Sequence, residues 1–277
     1  MTDLYAVIGN PITHSKSPLI HGMFAELTQQ DISYTKIEGP VGGFVEAIDS
    51  FRRGGGRGIN VTAPFKLNAF TYATHASDRA KLAGAVNAMK FEDGQVYGEN
   101  FDGVGLVRDV VHNLNAQIRG KRILLLGAGG AARGALLSFL AEEPAKLVIA
   151  NRTVSKAQEL AAIAVRSSQA PTEVIGCRFA ELEGQHFDVI FNATSASLVN
   201  ELPAVPATVF ATGSLTYELA YGKGLTPFLR LAQNAGAKQL ADGVGMLAEQ
   251  AAEAFHWWRG VRPDTRTVIN ALTVPLN

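Results

Sequence analysis

Arg122-Ile123-Leu124-Leu125-Leu126-Gly127-Ala128-Gly129-Gly130-Ala131-Ala132 is the stretch that decides how this 277-residue chain folds. Ile123 to Leu126 form an unbroken apolar run, the pattern of a strand buried on both faces of a parallel sheet. The run enters a G-x-G-x-x-A turn, and an apolar helical pattern follows to about Ala141. Strand, glycine turn and helix in that order make the dinucleotide fingerprint. The first glycine permits a tight turn, the second lets backbone approach a pyrophosphate, and the small third residue lets helix pack on strand. The helix amino terminus then offers free N–H donors to phosphate. A ligand-free βα turn is the plainer reading. The flanking elements favour a cofactor held by Gly127, Ala128, Gly129, Gly130 and Ala131.

Downstream, Leu147-Val148-Ile149-Ala150 reads as the next strand, followed by a helix from about Val154. Phe187 to Phe191 and a segment near Leu215 supply further strands. Strands alternating with helices predict βαβ units and a doubly wound sheet. An NAD-preferring protein places Asp or Glu about twenty residues beyond the glycine turn. Here Asn151-Arg152-Thr153 stands there, with Lys156 close behind. A carboxylate would repel a 2′-phosphate, whereas a guanidinium can accept it bidentately. Arg152 could be only a solvated charge and Thr153 only a helix cap, but the position favours NADP over NAD.

Upstream, Tyr5 to Ile8 reads as a buried strand ended by Gly9-Asn10-Pro11. Pro18 suits a first helical position, with Leu19, Ile20, Met23, Phe24 and Leu27 on one face. Phe44, Val45, Ile48 and Phe51 repeat that spacing. Gly58 to Thr62 reads as a strand stopped by Pro64, and Asp93-Gly94 as a hairpin turn. From Asp102 the period turns helical, bridging into the second domain. Gly245 to Trp258 is an apolar helix whose periodicity does not say which domain it joins.

Composition narrows the function classes. The chain is 47% apolar and 18% charged, with zero formal net charge, so no polybasic surface for nucleic acid or membrane is expected. Met1 to Gly9 lacks the pattern of a signal peptide, and glycines with Arg133 interrupt the most apolar stretch. The single cysteine, Cys177, allows no intramolecular disulfide, which fits a cytoplasmic protein. The six histidines show no ligand spacing, and no metal is expected.

Three polar clusters remain in the first hundred residues. Ser15 and Ser17 lie in a loop; Asn60 and Thr62 share a strand face, with Lys66 just beyond; Asn87 and Asp102 flank the hairpin. Hydroxyls, amides, one lysine and one carboxylate suit a polyhydroxylated, anionic small molecule. Taken singly, each residue could equally be an ordinary loop or capping group.

The ordered motifs carry more. Gly9-Asn10-Pro11-Ile12-Thr13-His14-Ser15-Lys16-Ser17-Pro18 resembles the amino-terminal signature of shikimate dehydrogenases. Asn60-Val61-Thr62-Ala63-Pro64-Phe65-Lys66 resembles their lysine motif, and Gly84-Ala85-Val86-Asn87 and Asn100-Phe101-Asp102-Gly103 match two more. Asn192-Ala193-Thr194-Ser195, Tyr221 with Thr226-Pro227, and Asp242-Gly243-Val244-Gly245-Met246 follow in the family's order. The resemblance implies an α/β fold of two domains, an amino-terminal substrate domain and a Rossmann-like doubly wound NADP-binding domain. The carboxy-terminal helix would return to the first, giving 1–103 plus 243–277 and 104–242. It implies NADP-dependent interconversion of 3-dehydroshikimate and shikimate, a step of aromatic amino acid biosynthesis, in a monomer or homodimer.

By the same resemblance, Lys66 and Asp102 would be catalytic, and Ser15, Ser17, Asn60, Thr62, Asn87, Tyr221 and Gln250 would hold substrate, the serines at its carboxylate. Gly127 to Ala131, Asn151, Arg152, Thr153, Lys156, Thr194 and Gly243 would surround NADP, with Asp78 a neighbour. Hydride transfer to a ketone builds charge on oxygen, which a lysine beside a carboxylate can stabilise and protonate; Lys66 and water stay open as the proton source.

Phe101, Ala196-Ser197-Leu198 and Leu219 depart from the family's pattern. Phe101 either crowds the site, in which case Phe101→Thr should raise efficiency with shikimate, or turns into the core. A divergent paralogue acting on quinate or a related hydroxy acid is the competing reading. A nucleotide sensor would need neither Lys66 nor Asp102.

Overall fold

The computed structural model describes residues 2–168 and 170–276, without the side chain of Leu198; Met1 and that side chain, named above, lie outside the described residues. The chain divides into two compact units, 1–105 with 248–268 and 106–247 with 269–277.

The first unit contains β1 (Asp3–Gly9), α1 (Ser17–Thr28), β2 (Ile32–Glu38), α2 (Phe44–Arg53), β3 (Gly56–Val61), α3 (Lys66–Tyr72), β4 (His75–Ala76), α4 (Asp78–Ala83), β5 (Ala88–Glu92) and β6 (Gln95–Glu99). Its sheet runs β2-β1-β3-β5-β6-β4. β1 pairs in parallel with β2 and β3, whereas β5 is antiparallel to β3 and β6. Asp93 and Gly94 turn β5 into β6 with φ of 49° and 76°, the left-handed pair that a tight hairpin requires. Ala6, Ile8, Ile48, Ile59, Phe65 and Met89 centre the core.

The expected apolar face of α1 is corrected. Ile20 and Phe24 are buried, but Leu19 and Leu27 are about half exposed, and His21 takes their place inside. Val45, expected beside Phe44 and Ile48, is likewise exposed. A polar ring occupies the core position because it stacks on Tyr34, centroids 4.2 Å apart, and lies beside Phe255 and Trp258.

α5 (Asp102–Arg108) crosses the division and relaxes into a wider turn over Asp109–Asn113. The second unit follows as β7 (Arg122–Leu126), α6 (Gly130–Ala141), β8 (Lys146–Ala150), α7 (Val154–Ser167), β9 (Glu173–Cys177), β10 (Phe187–Asn192), β11 (Phe210–Glu218), α8 (Pro227–Asn234) and β12 (Gln239–Asp242). All its strand pairs are parallel, in the order β12-β11-β10-β7-β8-β9. The chain starts at the centre, winds outward to β9 and returns to build the other half, so the order reverses between β7 and β10. That switch point is where such sheets bind ligands, beyond the carboxyl ends of the strands. Ile123 to Leu126 are fully buried, as the apolar run requires.

α9 (Val244–Arg259) also crosses the division, and α10 (Arg266–Leu272) follows. Of 243–277, which the resemblance assigns to the first domain, contacts group 248–268 with the first unit. The last residues belong with the second, where Leu276 packs on the cluster of Val209, Phe210, Phe228 and Leu229.

Candidate active site

In the first unit, the site grows from the loop after β1 and the end of β3. Gly9 is small for a reason: a Cβ there would lie 2.6 Å from Cγ2 of Thr62. The serine loop is held at several points. Ile12 is buried, Ser15 N–H donates to Ile12 O at 3.0 Å, and Lys36 Nζ donates to Thr13 O at 2.5 Å. This brings the hydroxyls of Ser15 and Ser17 to 3.3 Å, both part-exposed.

Asn60 is buried, and its Oδ1 accepts from the Tyr34 hydroxyl at 2.6 Å. Burial pushes the Tyr34 phenol above its usual range, and Ser17 beside it pulls the other way. Tyr34, a residue the sequence reading missed, therefore links the serine loop to Asn60. Its only signal there is a tyrosine in a weakly patterned segment.

Lys66 opens α3, and the buried Phe65 before it anchors that turn. Its Nζ lies 2.6 Å from Asp102 Oδ2, with the two side chains 34% and 16% exposed. Asn87 completes the group. Its Nδ2 donates to Asp102 Oδ1 at 2.7 Å and lies 3.4 Å from Gln250 Oε1, while its Oδ1 accepts the Phe101 N–H at 2.9 Å. Asn60 Nδ2 reaches the Asn87 carbonyl at 3.4 Å. Lys66, Asp102, Asn87, Gln250 and Asn60 thus form one connected set from β3, α3, α5, α9 and the turn before β5. A part-exposed ammonium faces solvent at one end and a fixed carboxylate backs it, an arrangement suited to moving a proton at a substrate oxygen.

Phe101 turns inward. It is 5% exposed and packs with Ala88, Ala254, Trp257 and Trp258. Of the two placements expected for Phe101, the structure has the ring in the core, so the ground for expecting Phe101→Thr to raise efficiency falls away. Asp78 stands apart from the connected set: its side chain is 92% exposed and pairs with Lys81 on the same helix.

In the second unit, Gly127 has φ of 102°, and a Cβ there would lie 3.0 Å from the Ala193 carbonyl oxygen. Only glycine fits, and Ala193-Thr194 closes against the turn. At Gly129 and Gly130 an added Cβ would meet nothing within 4 Å, so the tip of α6 is open. No side chain caps that helix, which leaves its first N–H groups for a phosphate. At the end of β8, Asn151 Nδ2 donates to Thr153 O at 2.9 Å and Thr153 starts α7 without a side-chain cap. Arg152 and Lys156 are exposed. An open glycine cradle with two cations at the neighbouring strand end fits a phosphorylated dinucleotide.

Thr194 is held by Asn192 Oδ1, which accepts from its N–H at 3.1 Å and its hydroxyl at 2.7 Å. Gly243 lies under Leu219, where a Cβ would come within 2.2 Å of the Leu219 carbonyl oxygen. Tyr221 is 43% exposed beyond β11. No cluster of three or more His, Cys, Asp or Glu able to hold a metal occurs among the described residues, nor does a helix long and apolar enough to cross a membrane.

Three family descriptions match in order: the shikimate dehydrogenase substrate binding domain over 7–89, shikimate / quinate 5-dehydrogenase over 109–200, and the shikimate 5′-dehydrogenase C-terminal domain over 243–273. A shikimate dehydrogenase (NADP(+)) of Aromatoleum aromaticum is 54% identical, over 98% of this chain and 96% of its own. The chain belongs to the shikimate dehydrogenase family. Among solved structures, an Ael1 enzyme from Pseudomonas putida is 58% identical with a TM-score of 0.94, both chains covered in full. The shikimate 5-dehydrogenase of Thermus thermophilus, solved with NADP(H) and shikimate, is 28% identical with a TM-score of 0.85 over 98% of each chain. The two units described above are thus this family's architecture.

Proposed function

We propose that this protein is an NADP-dependent shikimate dehydrogenase that interconverts 3-dehydroshikimate and shikimate. The observation that carries the reading is the Lys66–Asp102 pair at 2.6 Å, with Asn87 fixing the second carboxylate oxygen at 2.7 Å. Relatives of this sequence similarity carry that activity in their names.

When bound, the nicotinamide supplies or accepts the hydride. In the reductive direction the substrate ketone oxygen gains negative charge, and the Lys66 ammonium donates to it and lowers that charge. Asp102 holds the ammonium in line, because its other oxygen is fixed by Asn87 and it cannot swing away. In the oxidative direction the hydroxyl proton passes to Lys66 in its neutral amine form, which becomes the ammonium held by Asp102, or to a water. Ser15 and Ser17 offer two adjacent hydroxyls to the substrate carboxylate, and Asn60, Thr62 and Gln250 offer amides and a hydroxyl to the ring hydroxyls. Gly127, Ala128, Gly129, Gly130 and Ala131 would cradle the pyrophosphate. Arg152, with Asn151, Thr153 and Lys156, would take the 2′-phosphate, and Thr194 and Gly243 would line the nicotinamide end.

The test is a steady-state assay of shikimate and quinate, each against NADP and NAD. The shikimate–NADP pair should give the highest kcat/KM by at least tenfold. Quinate turned over as well as shikimate would overturn the substrate assignment, and NAD used equally would overturn the cofactor assignment.

A further inference from the structure

Glu218 ends β11 with a carboxylate that is 0% exposed, and no cation answers it among the described residues. Four neutral groups do. Asn192 Nδ2 donates to Oε2 at 3.0 Å, the Ser197 hydroxyl donates to the same oxygen, and the Thr226 hydroxyl reaches it at 3.4 Å. The Ala220 N–H donates to Oε1 at 3.3 Å. Burial pushes the carboxyl pKa up, and these hydrogen bonds pull against that. An uncompensated buried carboxylate is costly, and a mere packing role would be filled better by an apolar residue.

What the carboxylate ties together gives it a purpose. Asn192 and Glu218 are paired across β10 and β11, at the carboxyl ends where the sheet binds ligands. Through Asn192 it fixes Thr194, whose N–H and hydroxyl both donate to Asn192 Oδ1. Through Ala220 it fixes the residue before Tyr221, and the Ala220 carbonyl accepts the Gly243 N–H at 3.3 Å. Through Thr226, which caps α8 at Leu229 N–H, it fixes the return of that loop. Thr194, Tyr221 and Gly243 come from three separate segments, and one side chain is bonded to the supports of all three.

We infer that Glu218 is a positioning residue that assembles the nicotinamide end of the cofactor site. The inference rests on the NADP reading proposed above. It separates the two ends of the cofactor, because the 2′-phosphate end at Arg152 lies beyond β8 and shares no bond with the Glu218 group.

The experiment compares wild type, Glu218→Gln and Ser197→Ala by fluorescence titration with NADPH and by calorimetric titration with adenosine 2′,5′-bisphosphate, which lacks the nicotinamide. Gln presents one acceptor and an NH2 group to four donors, so at least one support loses its partner. The NADPH Kd should rise tenfold or more in Glu218→Gln and about threefold in Ser197→Ala, while the Kd for adenosine 2′,5′-bisphosphate stays within twofold. Equal weakening of both ligands, or no weakening of either, would overturn the inference. If Glu218→Gln fails to fold, an unchanged NADPH Kd in Ser197→Ala overturns it alone. Failure of wild type to bind NADPH would instead overturn the cofactor reading.

Discussion

Phe101 meets Trp257 edge-on, ring centroids 5.7 Å apart and planes at 72°, so the residue beside Asp102 is anchored to the helix that carries Gln250. The Arg79 guanidinium lies 5.7 Å from the same ring, and Arg79 pairs with Glu99 at 2.6 Å. The Phe101 N–H holds Asn87 Oδ1, and Asn87 holds Asp102. The ring therefore sets the backbone on which the Asp102 carboxylate sits.

Phe101→Ala should cost about 3 kcal/mol of stability, the usual scale for emptying a buried phenylalanine site. Phe101→Thr should cost about as much, since it also buries a hydroxyl. Urea unfolding checks both. A Phe101→Thr protein as stable as wild type, with higher kcat/KM for shikimate, would show that the ring is not structural.

Arg152→Ala should raise the KM for NADP tenfold or more and leave NAD nearly unchanged, because a charge-assisted contact to phosphate contributes about 1.5–3 kcal/mol. Parallel kinetics with the two cofactors decide it. Equal losses would assign the 2′-phosphate elsewhere.

Ile123 to Leu126 announced the second sheet because central parallel strands are buried on both faces and leave an unbroken apolar record. The strands that left no such record, β2, β4, β9 and β12, are the four sheet edges. Glu173–Cys177 alternates exposed and part-buried positions, and half of an edge strand's surface is solvated, which dilutes its pattern. The site divides in the same way. The family resemblance named Lys66 and Asp102, but their 2.6 Å approach spans 36 residues and depends on where α3 and α5 begin. Tyr34 and Glu218 were not legible, since a polar residue acquires its role from partners brought in by folding. Glu218 did leave one trace, a carboxylate closing the apolar strand Leu215-Thr216-Tyr217.

His21 predicts an acid-side loss of stability. Its ring is fully buried, and neither nitrogen has a hydrogen-bond partner among the described residues. Burial pushes its pKa down to about 3 from 6.5, with Asn60 close enough to pull weakly the other way. Between pH 6.5 and 3 the unfolded chain takes up a proton that the folded chain refuses. Stability from this site is therefore complete above pH 6.5 and is lost as pH falls, by up to about 1.4 kcal/mol per pH unit. His21→Phe keeps the stack on Tyr34 and removes the titration. Urea unfolding at pH 7.5, 6 and 5 should show wild type losing stability faster than His21→Phe, and parallel profiles would refute the assignment.

Lys66→Ala should lower kcat by roughly two to four orders of magnitude, the range of a general acid–base group, with much smaller changes in substrate KM and NADP affinity. Asp102→Asn tests the other half of the pair. Asp102 now accepts from Lys66 Nζ at one oxygen and from Asn87 Nδ2 at the other. An asparagine has a single acceptor oxygen, so one donor must face an NH2 group and the ammonium loses its fixed counter-charge. Asp102→Asn should therefore reduce kcat by at least tenfold. If the two residues act as one device, the double variant should be little worse than Lys66→Ala alone, because the carboxylate has no lysine left to orient. Turnover that falls by the product of the two single losses would mean that Lys66 and Asp102 work independently, and near-normal turnover in Lys66→Ala would reduce the lysine to a substrate anchor.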